Sequence, residues 1–246
     1  MLLTIDIGNT LTKYGVHEND TLIHRLTVPT VFTDTAAELY NHELDRNYRA
    51  VIISSVVPEL KKVYQDFSNK YCNVEPVFVS NSFDLGLKIK YVPAKTLGVD
   101  RLIAAFAAVE KYGKPCIVCD FGTATTIDAV NSGGEYLGGI IAPGMDMMRE
   151  SLFTKTSVLP LIKLRKPENV IGNSTVTSIQ SGIYYGYIAM VEGLIEKIIG
   201  ELGEQPNVVA TGGFAEIIAE SCQAIQTIDE TLMLDGLRLI YETRLR

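Results

Sequence analysis

The sequence predicts an α/β protein built from two copies of one domain plan, each a mixed sheet with helices on both faces. Three observations carry this. The stretch Thr4-Ile5-Asp6-Ile7-Gly8-Asn9-Thr10 near the start returns in outline as Cys119-Asp120-Phe121-Gly122-Thr123-Ala124-Thr125, about 114 residues later. Each copy sets an Asp at the end of an apolar run, then a hydrophobe, a glycine and small polar residues, and continues into a second strand. Behind each copy, further strand patterns alternate with helical ones, the mark of β/α units. A repeat at this spacing reads as an internal duplication. The domains are expected at 1–114 and 115–246, with the last helix open to packing back toward the first domain.

The first half reads in order as follows. Leu2–Ile7, Leu11–His17 and Thr21–Val28 form an antiparallel meander with a turn at Asn19-Asp20. Thr33 or Asp34 is placed to cap a helix to about Arg46, with Ala37, Tyr40 and Leu44 on one face. Ala50–Ser55 is a continuous β-branched run, expected as a buried parallel strand. Pro58 opens a helix to about Lys70, Val74–Ser80 returns as a strand, and Asn81–Thr96 reads as loop. Leu97-Gly98-Val99-Asp100-Arg101 leads into a helix ended by Gly113. Asp100 falls in its first turn, where the helix dipole favours negative charge.

The second half starts at Pro115 with a strand, a turn at Gly122, a strand, a turn at Asn131–Gly134 and a strand over Glu135–Ile141. Pro143 begins a helix to about Phe153, and Thr154–Thr177 is irregular. Ile179–Leu202 is a long helix by its 3–4 spacing of Ile183, Tyr187, Met190, Val191, Leu194, Ile195, Ile198 and Leu202. A strand over Asn207–Thr211, the turn Gly212-Gly213, a helix over Phe214–Ser221, a strand over Ala224–Ile228 and a helix over Leu232–Leu245 complete the chain.

Composition excludes several classes. A net charge of −7 with mixed signs gives no basic face for nucleic acid. No apolar run approaches the ~20 residues of a membrane span. Met1–Asp6 has no basic leader, so a cytoplasmic location is expected. Cys116 and Cys119 match C-x-x-C, but residues three apart on a strand point to opposite faces, and no second pair completes a zinc set. His17, His24 and His42 stand near the start with no nucleophile elbow, so no catalytic triad is indicated.

The paired motifs do carry chemistry. Glycine lets a backbone approach a ligand closely and presents N–H groups to phosphate oxygens. A carboxylate beside phosphate is repulsive unless it holds a cation or orients water. Two Asp-x-Gly hairpins therefore suggest two jaws on a polyphosphate and its metal. Asp6 suits magnesium, which prefers carboxylate, water and phosphate oxygens. Lys13 reads either as a point charge for the phosphates or as a solvated strand residue. Asp120 alone does not distinguish potassium from magnesium.

Beyond the hairpins, the chain carries Ser54-Ser55-Val56-Val57-Pro58, Gly98-Val99-Asp100-Arg101, Gly138–Gly144, Thr175 with Gln180-Ser181-Gly182, and Thr211-Gly212-Gly213. With Asp6–Thr10, Gly15 and Asp120–Thr126, this ordered set resembles the type III pantothenate kinases, a branch of the actin-like ATPase and sugar-kinase superfamily. It spans nearly the whole chain. One departure stands out: Gly172–Thr177 reads Gly-Asn-Ser-Thr-Val-Thr where such proteins more often read Gly-x-Asn-Thr-Glu-Glu.

The resemblance implies duplicated actin-like, ribonuclease H-like domains with an active site in the interdomain cleft. It implies ATP binding at Asp6, Ile7, Gly8, Asn9, Thr10, Leu11, Thr12, Lys13 and Thr123, with Mg2+ met at Asp6 through the nucleotide. It implies a monovalent cation, K+ or NH4+, at Asp120. Pantothenate is expected at Tyr91, Gly98, Val99, Asp100, Arg101 and Thr175. Asp100 is the expected catalytic base, since a primary alcohol needs a carboxylate within hydrogen-bond reach to orient it and accept its proton late. A weak base suffices, because the transition state of phosphoryl transfer is loose. Thr211-Gly212-Gly213 reads either as an adenosine-side turn or as structure. The implied activity is ATP-dependent phosphorylation of the terminal hydroxyl of pantothenate, opening coenzyme A synthesis. A homodimer on the second half is implied too, with substrate sites completed across the interface. The rivals are a phosphatase or polyphosphate hydrolase of the same fold and a non-enzymatic nucleotide-binding regulator; neither needs an alcohol-orienting Asp100.

Overall fold

The meander expected at the start is present as β1 (Leu2–Ile7), β2 (Leu11–Glu18) and β3 (Thr21–Pro29) in a computed structural model that describes residues 1–44 and 46–245. β4 (Ala50–Ser55) lies parallel to β1, and β5 (Val77–Phe78) parallel to β4, giving the order β3-β2-β1-β4-β5. The helix expected from Pro58 runs as a 3-10 turn, α1 (Lys61–Phe67) and a π-turn to Cys72. Leu3, Ile5 and Ile7 alternate onto one sheet face and pack with Val63, Tyr64 and Phe67 of α1.

The helix expected over 34–46 is not formed. Two 3-10 turns, Ala36–Leu39 and His42–Leu44, stand there, and Asp45 lies outside the described residues. Local side chains compete with the helix: Thr33 Oγ1 accepts from the Thr35 N–H at 3.0 Å, and Asn41 Oδ1 from the Glu43 N–H at 2.9 Å. Leu39 and Leu44 therefore face the core, not Ala37 and Tyr40. The strand expected over 74–80 is only two residues long, β5. The segment read as loop holds a short strand, β6 (Lys88–Ile89), paired parallel with a strand of the second sheet.

α2 (Val99–Tyr112) ends before Gly113, whose φ of 82° favours glycine. The second meander is β7 (Cys116–Phe121), β8 (Ala124–Val130) and β9 (Glu135–Pro143). α3 (Met145–Thr154), α4 (Thr175–Leu202), β10 (Asn207–Thr211), α5 (Ala215–Ala219), β11 (Thr227–Ile228) and α6 (Leu232–Arg244) follow. The second sheet runs β11-β10-β7-β8-β9-β6. Apart from β6, this is the first sheet's plan read from the other end. In both, the motif strand lies between an antiparallel hairpin partner and a parallel strand.

α4 starts four residues earlier than the periodicity suggests. Ser174 caps it: its hydroxyl accepts from the Thr177 N–H at 3.2 Å, while Thr177 Oγ1 accepts from the Ser174 N–H at 3.0 Å. Thr177 stands where a capping box usually carries Glu or Gln, which hid the signal. The three clustered tyrosines of α4 are tied inside their own unit. Tyr184 donates to Ile217 O, Tyr185 to Pro167 O, and Tyr187 is hydrogen-bonded to Thr125.

The chain divides into two compact units, one of Met1–Leu87, Tyr91–Glu110 and Thr231–Arg246, the other of Lys88–Lys90 and Lys111–Glu230. In the first unit α6 packs on β1, β2 and β4, and Arg244 donates to Leu85 O at 3.1 Å. In the second, Ile117, Cys119 and Phe121 pack with Ile183, Tyr187 and Val191 of α4. Cys72, Cys116, Cys119 and Cys222 are all buried free thiols, and burial raises the pKa of each.

Candidate active site

The first hairpin closes on the four residues Gly8–Leu11. The Gly8 N–H donates to Leu11 O at 3.0 Å, and a Cβ on Gly8 would stand 2.9 Å from that oxygen. Thr30, just past β3, braces the turn: its hydroxyl donates to Gly8 O at 2.7 Å and its N–H to Thr10 O at 2.9 Å. Thr12 is buried, and its hydroxyl lies 3.0 Å from Thr30 Oγ1 and 3.4 Å from Tyr64 OH, itself 3.0 Å from Tyr14 OH. Burial pushes both phenols up, so they stay neutral links in this ladder. Sequence reading missed Thr30, because its role arises only when β3 pairs with β2.

Asp6 pairs in register with Lys13 on β2 and with Ser54 on β4, so all three side chains share one sheet face. Ile7 is packed in the core, whereas Asn9, Thr10 and Leu11 are exposed at the tip. Of the eight residues of this hairpin expected at ATP, Ile7 and Thr12 thus offer a ligand backbone only.

The second hairpin is one residue tighter, closing on Gly122–Ala124 between the pair Phe121–Thr125. Thr123 is exposed at its tip, and its carbonyl accepts from the Gly144 N–H at 3.2 Å. Asp120 pairs in register with Thr126 on β8 and Thr211 on β10. Its carboxylate is held against glycine backbone. A Cβ on Gly212 would come within 2.6 Å of Asp120 Oδ1, and one on Gly122 within 3.5 Å. Gly212 also sits at φ 95°, so no other residue fits there without strain.

Asp100 lies in the first turn of α2, which opens with Leu102 N–H donating to Gly98 O at 3.2 Å. Asp100 Oδ1 accepts from the Arg101 N–H at 2.8 Å and lies 2.5 Å from where a Gly98 Cβ would stand. Arg101 is buried, with its guanidinium carbon 5.5 Å from the centre of the Tyr91 ring. Tyr91, Gly98, Val99, Asp100 and Arg101 therefore form one group. Thr175, in the second unit, is exposed at the start of α4. It edges an apolar hollow of about 880 Å3 between α3 and α4, lined by Met147, Met148, Leu152, Leu159, Ile179 and Ile183.

Among the described residues no three His, Cys, Asp or Glu side chains cluster as a metal cage. Single carboxylates beside backbone do fit cations whose other ligands are phosphate, water and carbonyl oxygens. Asp120, close against Gly122 and Gly212, is of that kind, and Asp6 stands in register with Lys13.

Paired sheets of this topology, each headed by an Asp-x-Gly hairpin, define the actin-like ATPase and sugar-kinase fold. Two solved structures agree with it. A chain described as a Baf family transcriptional activator from Campylobacter jejuni superposes with a TM-score of 0.63 at 19% identity, covering 98% of this chain and 97% of its own. MreB 5 of Spiroplasma citri superposes with a TM-score of 0.51 at 13% identity, covering 98% and 96%. The family model for type III pantothenate kinase matches residues 2–197. A type III pantothenate kinase from Halalkalibacterium halodurans is 39% identical over 251 residues, covering 98% of this chain and 99% of its own. The chain belongs to the type III pantothenate kinase family.

Proposed function

We propose that this protein transfers the γ-phosphoryl group of ATP to the terminal hydroxyl of pantothenate, the first step of coenzyme A biosynthesis. The full-length likeness to pantothenate kinases carries the reading, and the two glycine-backed aspartate hairpins and the helix-borne Asp100 are what such a reaction needs. In this reading Asp100 orients the hydroxyl and accepts its proton late, as the bond to the incoming phosphorus forms and the bond to the β-phosphate oxygen breaks, releasing ADP. Arg101, buried beside Tyr91, holds the substrate, with Gly98 and Val99 adding backbone contacts. The tip Gly8–Leu11, Lys13 and Thr123 receive the phosphates. Magnesium at Asp6 and a monovalent cation at Asp120 would neutralise the charge of the nucleotide. ADP release that depends strictly on added pantothenate is the expected result; release without it would favour a hydrolase, and none at all a regulator.

The working form in this reading is a cytoplasmic homodimer. The long helix itself spends its apolar face on its own core, and Val176 is its single exposed large apolar residue among those described. Between α3 and α4 the chain exposes Met147 and Phe153 of α3 and then Val158, Leu161, Val170 and Ile171. Exposed apolar side chains that lie together mark interaction surfaces, and Met147 lines the apolar hollow that Thr175 edges. Light scattering should give twice the chain mass, and an Asp at Val158 should cost assembly and activity together. A fully active monomer at assay concentration would remove the shared site.

A further inference from the structure

Ser54 and Thr211 hold equivalent places in the duplicated plan. Each lies at or next to the end of the parallel strand beside the motif strand, Ser54 in register with Asp6 and Thr211 in register with Asp120. Register partners carry their side chains on one face, so each hydroxyl stands beside a motif carboxylate. Both residues are buried, at 0% and 1% exposure. Among the described residues, theirs are the two buried side-chain oxygens with no hydrogen-bond partner.

Buried hydroxyls are ordinarily satisfied, and other buried strand hydroxyls in these sheets obey the rule. Thr4 donates to Gly15 O, Thr12 meets Thr30, and Thr125 meets Tyr187. Packing alone does not explain two orphans that fall at the same place in both halves. The carboxyl ends of parallel strands are also where open α/β sheets take up ligands.

We propose that Ser54 and Thr211 are positioning residues for the two motif aspartates. Each hydroxyl donates to the neighbouring carboxylate, or to the water shell of the cation it faces, once nucleotide is held. They act through Asp6 and Asp120 and touch no reacting atom. The inference rests on the reading that those aspartates serve nucleotide binding.

The test sets stability against binding. Ser54→Ala and Thr211→Val each remove an unsatisfied hydroxyl, so melting temperatures of the ligand-free variants should equal or exceed that of the parent. The stabilisation by magnesium and ATP should shrink. The KM for ATP should rise about tenfold, the scale of one hydrogen bond to a charged group, with a smaller change in kcat. Thr211→Ser, which restores a hydroxyl, should recover most of the binding. Variants that melt earlier yet keep the parent's full response to nucleotide would mark the hydroxyls as merely structural and overturn the proposal. A parent protein that magnesium and ATP fail to stabilise would overturn the nucleotide reading, and the proposal with it. That outcome is distinct from a stabilised parent whose variants respond equally, which overturns the proposal alone.

Discussion

Across the first sheet the row through the motif aspartate reads Lys13, Asp6, Ser54; across the second it reads Thr126, Asp120, Thr211. The carboxylate and the buried hydroxyl recur, and the cross-strand neighbour does not. Directly opposed opposite charges on a sheet attract, and the first carboxylate stands in register with a lysine of the chain itself. The second faces a neutral threonine and lies against the backbone of Gly212 and Gly122. A duplicated pattern can thus keep its geometry while the charge beside its carboxylate differs between the two copies.

The largest effect tests a residue outside both rows. Asp100→Asn should lower kcat on the order of 10²–10⁴-fold, the usual worth of a general base, with stabilisation by ATP unchanged. Lost ATP binding in this variant would mean that Asp100 belongs with the nucleotide rows after all.

Acid should separate the halves next. His17 is buried on β2 with Nε2 3.0 Å from Thr4 Oγ1, and burial lowers its pKa from 6.5 to about 4. Asp235 of α6 acts to raise it and Arg238 to lower it, both more weakly than burial. The fold therefore favours the neutral ring. Its contribution is complete above about pH 6.5 and fades as the pH falls toward 4, by up to about 3 kcal/mol at 1.36 kcal/mol per pKa unit. Hydrogen exchange at pH 4.5 should show β1–β3 opening before β7–β9, and His17→Asn should flatten the pH dependence. Uniform opening of both sheets would contradict this.

The missing charge itself can be supplied. If Asp120 holds a monovalent cation, replacing potassium by sodium should cost activity within the roughly 5–150-fold range of coupled sites. Thr126→Lys should then make the protein largely indifferent to potassium, and Asp120→Asn should blunt the response. Equal rates in both salts would end the asymmetry as an explanation.

The smallest effect compares the glycines. Gly212→Ala meets a φ of 95° as well as close contacts with Asp120 Oδ1 and Phe121 O, and should destabilise by about 1–3 kcal/mol. Gly8→Ala meets only Leu11 O and should cost less. The difference in melting temperature between the two variants measures how tightly the second carboxylate is clamped.

By itself the sequence determined both hairpins, the buried β4 run, α2 with Asp100 in its first turn, and the body of α4. These follow from period-2 and period-3.6 patterns and from glycines at turns, which neighbouring residues encode. Boundaries were lost where a local contact replaced the usual signal, as in the Ser174–Thr177 cap and the 3-10 turns around Thr33 and Asn41. The tertiary structure alone decided which residues stand beside Asp6 and Asp120, that Thr30 braces the first turn, that β6 joins the second sheet, and that α6 packs on β1 in the first unit. Lateral register between strands distant in the chain is set by how whole faces bury their apolar side chains. No window of sequence contains that information, so the rows of charge and hydroxyl that distinguish the two halves emerge only when the sheets assemble.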